Sequence, residues 1–195
     1  VVYEDHPNFA NLLGRVDHHA YMGALMTDFT MIKAGAFHKA NGGYLILDAR
    51  KLLLQPYAWE SLKRTLQSGE IRIESLERSL SLMSTSSLEP EPIPLNFKVI
   101  LFGDRLVYYI LNQYDPEFQD LFKIAADFDD SVSRINSEEE YARLLATIAR
   151  SENLYPLNPQ AIARIIEQSA RLTGDAEKLS THLRSIKDLL IESDY

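Results

Sequence analysis

The stretch Gly35–Leu54, GAFHKANGGYLILDARKLLL, decides how the rest of the chain is read. Tyr44, Leu45, Ile46 and Leu47 form an apolar run long enough for a strand buried on both faces and too short for a helix. Asn41, Gly42 and Gly43 supply a turn in front of it, since Gly and Asn tolerate the left-handed backbone that ends a helix. Asp48 closes the run, at the carboxyl end of the strand, where open α/β sheets bind ligands. Such a strand has the form of a Walker B element, whose carboxylate holds Mg²⁺ or its waters beside a nucleotide. Many buried strands end in Asp only to start a turn or cap a helix, so this pattern alone leaves both readings open.

Outward from this stretch the elements alternate. Residues 1–13 contain Pro7 and Asn8 and read as a loosely held entry segment. Thr27–Ile32 is β-branched and aromatic, as in a strand or extended lead-in, and Lys33–Ala40 reads as a short helix. After Asp48 a helix is signalled by Pro56, by Trp59, Leu62 and Leu66 at helical spacing, and by Gly69 as its stop. Glu60 and Arg64 stand at i,i+4 on its outer face. Glu70–Glu74 alternates polar and apolar as a half-exposed strand, and the proline-rich EPEPIP forbids helix and central strand. Phe97–Phe102 is a second buried strand, followed by a helix over 105–113 and an expected third strand over Leu121–Phe128. This order predicts a parallel sheet covered on both faces.

From Ser137 the periodicity is helical. Ser137 with Glu140 forms a capping-box pattern ahead of Tyr141, Leu144, Leu145 and Ile148. Asn158 and Pro159 open a second helix with Ile162, Ile165 and Ile166 facing inward, and Leu179, Leu183, Ile186 and Leu190 mark a third. The fold class is therefore α/β: a parallel-sheet core over residues 1–130, then a small all-helical domain over 137–195.

Composition narrows the function classes. The net charge of −8 disfavours nucleic acid and anionic membrane surfaces as partners, since both attract Lys and Arg. Zero cysteines remove thiolate chemistry, and the adjacent His18 and His19 lack a third ligand at zinc spacing. No apolar run approaches the ~20 residues of a membrane span. With neither an initiator Met nor a leader pattern, the chain reads as an excised piece of a longer cytoplasmic protein.

GAFHKANGGYLILDA and LLLQPYAWESLKRTLQSGEIRIE, followed by FKVILFGD and YDPEFQDLF, resemble the AAA+ module of Lon-like (LonB/LonC-type) ATP-dependent proteases, from Walker B to the lid. The resemblance implies a ring-forming homo-oligomer that uses ATP and Mg²⁺ and acts on unfolded protein substrates through a separate Ser–Lys protease domain. It places Asp48 at the Mg²⁺–nucleotide position, Asp104 at sensor 1 and Arg184 near sensor 2. It makes Ile71–Pro94 a pore-facing hairpin, with Leu80, Leu82 and Met83 as an apolar substrate grip. Departures from the family pattern imply degenerate ATPase motifs. Ala49 replaces the usual catalytic Glu, and Gln119 and Leu121 stand where finger arginines are usual; the GxxxxGK[ST] cradle, which the family places upstream, does not occur within these residues. No cofactor and no enzymatic activity are expected of these residues by themselves. The competing expectation is a non-enzymatic protein-interaction module that binds no nucleotide.

Overall fold

The computed structural model describes residues 1–17, 19–21, 24–73 and 90–194, with the backbone alone for 19–21 and 24–26. The chain divides into two compact units, Val1–Ile124 and Ala125–Tyr195.

The first unit is built on a three-stranded parallel sheet. Strands β1 (Val2–Glu4) and β6 (Tyr44–Asp48) pair with Val2 opposite Leu45. Strand β9 (Lys98–Phe102) pairs on the other side of β6, with Asp48 opposite Phe102. The entry segment is thus ordered, contrary to the sequence reading. Its strand is specified by a partner more than forty positions away, and Asn8 caps α1 (Phe9–Leu13) by accepting from the Asn11 amide at 2.8 Å. Between them, the ring of Pro7 is fully buried.

Strands β2 (Gly14–Val16) and β5 (Ile32–Ala34) form one antiparallel pair, β3 (His19–Tyr21) and β4 (Ala24–Met26) another. A single 3-10 turn, Phe29–Met31, stands where an extended lead-in was expected, because the Asp28 side chain caps it through the Thr30 amide. Helix α2 (Ala36–Ala40) begins at Gly35, where a Cβ would collide with the Leu12 carbonyl and the Gly14 nitrogen. Of the Asn41–Gly43 turn, Gly42 alone takes positive φ, at 87°. Asn41 instead accepts from the Asn96 amide at 2.7 Å and so ties the turn to the start of β9.

Helix α3 (Ala49–Leu53) follows β6 directly, and α4 (Ala58–Ser68) begins two residues after Pro56, since Tyr57 is left-handed at φ 62°. Short strands β7 (Glu70–Ile71) and β8 (Ile93–Pro94) pair antiparallel, forming the base of the expected hairpin. Leu80, Leu82 and Met83 lie outside the described residues. Beyond β9 come α5 (Arg105–Tyr114) and α6 (Phe118–Leu121). The third strand expected over Leu121–Phe128 is not formed: α6 ends within it, and the rest is irregular, with Ile124 and Phe128 almost wholly exposed.

The core gathers Leu12, Phe37, Leu45, Leu47, Leu52 and Leu62 on one side of the sheet. The opposite side is not covered as alternation predicted. Tyr3 is 53% exposed, Ile100 45% and Phe102 44%, because the described helices contribute side chains to one face only.

The second unit holds α7 (Glu138–Ser151), α8 (Pro159–Thr173) and α9 (Leu183–Asp194). Their core contains Tyr141, Leu145, Ile165, Ile166, Ile186 and Leu190. A small antiparallel pair, β10 (Ser131–Ser133) with β11 (Lys178–Ser180), accompanies the helices, and Leu179 is buried from this strand rather than from a helix. Asn158 caps α8 as its sequence indicates, accepting from the Ala161 amide at 2.7 Å. Ser137 has helical backbone angles, so its hydroxyl makes no cap, and the expected capping box is absent. Arg134 instead donates to Glu138 at 2.6 Å.

Candidate functional site at the carboxyl edge of the sheet

The parallel pairing of β1, β6 and β9 brings three strand ends to one edge. Asp48 closes β6, and Asp104 follows β9 after Gly103, so both acids expected at a nucleotide site share this edge. Asp48 caps α3, its Oδ1 accepting from the Lys51 amide at 3.0 Å. Asp104 stands at the start of α5, exposed, and its side chain makes no cap bond. Ala49 is buried, and a Cβ placed on Gly103 would stand 3.4 Å from the Ala49 methyl. The side chain after Asp48 therefore fills the seam between the ends of β6 and β9.

Sequence reasoning missed the third strand end. Asp5, just after β1, accepts from Lys51 Nζ at 2.5 Å and from the Tyr3 hydroxyl at 3.2 Å. The Lys51 hydrogen bond is the main cause holding the Asp5 carboxyl below its ordinary value, and the same bond holds Lys51 above its own. The Tyr3 hydroxyl is pushed up, first by desolvation and then by Asp5. Only recognising β1 as a strand parallel to β6 would have placed Asp5 beside Lys51.

A carboxylate at this edge can serve Mg²⁺ in a limited way. No group of three or more His, Asp or Glu arranged to hold a metal occurs among the described residues. Magnesium beside phosphates needs only one or two protein carboxylates, the rest of its shell being phosphate oxygen and water. With its Oδ1 engaged by the Lys51 amide, Asp48 retains a second oxygen for such a role. Arg184 lies on α9 in the other unit and is exposed there.

Among the described residues, the most enclosed ionic cluster lies away from this edge. Lys63 on α4 has a side chain only 8% exposed and reaches Asp115 at 3.1 Å, Glu117 at 2.8 Å and Glu60 at 3.1 Å. Glu60 thus meets Lys63 at i,i+3, one residue short of the Arg64 to which the spacing pointed. Trp59 Nε1 donates to the same Asp115 oxygen at 2.7 Å. Desolvation opposes the charge of Lys63, but its three carboxylates outweigh this and raise its pKa. Asp115 is likewise desolvated, and the Trp59 and Lys63 bonds still carry its pKa below the ordinary value. A clue was present in sequence, since Lys63 follows Trp59 by four residues and so shares its inward stripe.

His38 Nδ1 is buried and takes no hydrogen bond, and burial lowers its pKa. No described residue accompanies it as a catalytic partner.

Comparison with known proteins settles the family. Residues 1–129 match the family model described as "LonB-like, AAA domain", and residues 156–195 match "Archaeal LonB, AAA+ ATPase LID domain". The chain belongs to the LonB-like AAA family. A Lon protease homolog of Escherichia coli (strain K12) is 30% identical over 151 residues, covering 76% of this chain and 25% of that protein. An archaeal Lon protease of Thermoplasma volcanium is 26% identical over 192 residues, covering 92% of this chain and 27% of its own length. The chain therefore spans about a quarter of these relatives' length. Within the LonB-like frame the first unit is a partial AAA+ core and the second its lid. No helix among the described residues is long and apolar enough to cross a membrane.

Proposed function

We propose that this LonB-like AAA module serves ring assembly and substrate gating for a separate Ser–Lys protease domain of the same protein, with little or no ATP hydrolysis of its own. The observation that carries this reading is Ala49. At the position where family members have a water-orienting Glu, a buried methyl packs against the Gly103 turn. Asp48 remains at the strand end, suited to hold Mg²⁺ or its waters beside ATP, and Asp104 stands two residues past the neighbouring strand. Magnesium, when bound with nucleotide, would supply charge neutralisation of the phosphates. Asp48 would contribute an anionic ligand; Arg184 is, by its position in the family pattern, a separate candidate for a phosphate contact. Gln119 and Leu121 replace the arginines that would stabilise charge in a neighbour's site, which removes a second requirement for turnover. Unfolded protein and further copies of the chain are the partners this role entails, in a cytoplasmic setting. Leu80, Leu82 and Met83 are its proposed substrate grip.

Calorimetry on the full-length protein with ATP and Mg²⁺ tests the reading. Binding that weakens with Asp48→Ala, without appreciable turnover in the wild type, is the expected result. Turnover that Asp48→Ala abolishes would overturn the degenerate assignment.

One observation favours a second reading. The Asp48 carboxylate already has a structural duty as the cap of α3. An interaction module that binds no nucleotide would keep Asp48 for that duty alone, and wild-type protein giving no heat with Mg²⁺–ATP selects it.

A further inference from the structure

The buried cation Lys63 has no part in the strand-end chemistry, yet it is attached to that edge through one rigid element. Helix α5 starts at Asp104 and stops at Asp115, and its 10 residues make a rod about 15 Å long. This rod is loosely seated. Leu111 is its one buried side chain, while Leu106, Tyr109 and Tyr114 are 68%, 62% and 76% exposed. Its far end, by contrast, is held firmly. Asp115 Oδ2 takes hydrogen bonds from both Trp59 and Lys63, and Asp115 Oδ1 accepts from the Glu117 amide at 3.0 Å. Trp59 and Lys63 both belong to α4, which is anchored by the fully buried Ala58 and Leu62. Phe118 and Phe122 stack beside Trp59, and Tyr108 of α5 meets Phe118 edge-on at 5.9 Å.

We infer that Lys63 is a positioning residue, which fixes α5 through Asp115 and thereby sets where Gly103 and Asp104 stand at the carboxyl edge of the sheet. The inference rests on the reading of that edge as a nucleotide site. A desolvated ion pair is poor evidence of a stability role, because apolar replacements of similar volume are often as stable. What the charged cluster adds is direction. Lys63 converges on three carboxylates and Trp59 Nε1 on one oxygen, so Asp115 is fixed along two independent lines. A helix with a single buried side chain pivots if that end is freed.

The test uses the full-length protein and its Lys63→Met, Lys63→Arg and Trp59→Phe variants. Amide hydrogen exchange is measured across residues 105–114, and Mg²⁺–ATP affinity is measured by calorimetry. Lys63→Met is expected to lower protection in α5 by about tenfold more than in α1 and α2, and to weaken Mg²⁺–ATP by about fivefold. Lys63→Arg, which keeps the cation, should restore both. Trp59→Phe keeps the aromatic stack and loses the bond to Asp115, so it should shift both measurements the same way by less. It decides the matter alone if Lys63→Met does not fold. Unchanged α5 protection overturns the inference, as does uniform loss across the first unit, or a loosened α5 with unaltered affinity. Wild-type protein that fails to bind Mg²⁺–ATP defeats the nucleotide reading and the edge half of the inference with it. In that event α5 protection still decides whether Lys63 holds the helix.

Discussion

The two units solve the same problem, a polar group inside a small core, with opposite chemistry. In the first unit the polar centre is ionic: Lys63 among Glu60, Asp115 and Glu117. In the second it is neutral. The Tyr141 hydroxyl lies 2.8 Å from Ser169 Oγ and donates to the Ser180 carbonyl at 3.1 Å, while the Ser180 amide donates to Ser169 Oγ at 2.8 Å. The hydroxyl network joins α7, α8 and β11 and carries no charge. An ionic centre has a high penalty for losing one member, since the survivor is a desolvated charge. A hydroxyl network loses only a hydrogen bond and the solvation of its orphan. The first unit should therefore be brittle at one point and responsive to pH, and the second tolerant and indifferent to it.

The largest expected effect is at Lys63. Lys63→Met leaves Asp115 with Trp59 and the Glu117 amide but no cation, and should cost roughly 3 kcal/mol, read as a lowered midpoint in urea for the first unit. A midpoint unchanged within error would show the cluster to be no more than a surface ion pair. Next comes Ser169→Ala, which strips the Ser180 amide of its acceptor and the Tyr141 hydroxyl of one of two partners. About 2 kcal/mol should be lost, with exchange protection falling in α8 and β11 and not in the sheet of the first unit. Smaller again is Asn158→Ala, where loss of the α8 cap should cost about 1 kcal/mol and fray residues 159–162 in the same exchange experiment. A neutral effect there would mean that Pro159 alone starts the helix.

The pH dependence sharpens the comparison by sign. Asp115 and Glu117 titrate below their ordinary values of 3.8 and 4.5 in the folded protein. Their stabilisation is therefore present above those values and is lost as pH falls through the lowered ones. Lys63 is raised above 10.5, so its share is fully present below that value and no loss is expected on mild alkalinisation. Melting between pH 6 and pH 3 should lower the first unit's midpoint while the hydroxyl network of the second is unaffected by protonation. The effect is expected to be the smallest of the four, because Glu117 is half exposed and screened. Equal acid sensitivity in both units would remove the ionic cluster as its cause.

Much of this was legible locally. The run Tyr44–Leu47 carries its own strand signal, Asn158–Pro159 its own helix start, and Gly69 the left-handed stop of α4. Asp48 was legible as a strand-end acid, but its dual standing as helix cap and nucleotide candidate was not separable in sequence. Errors fell where a local pattern lacked its tertiary partner. Leu121–Phe128 has strand-like composition and forms no strand, while Val2–Glu4 has a weak pattern and an excellent partner in β6.

By itself the sequence determined the periodicities, the breaks and the chemistry available: a parallel α/β core with Asp at its strand ends, then a run of amphipathic helices. These follow from side-chain shape and polarity within a few residues. Only the tertiary structure decided that Asp5 meets Lys51, that Asn41 ties down the start of β9, and that Lys63 is buried against Asp115. Each of these joins residues more than forty positions apart. Such contacts depend on which strands lie side by side and which helix faces close over them, and no local pattern of side chains encodes that by its spacing.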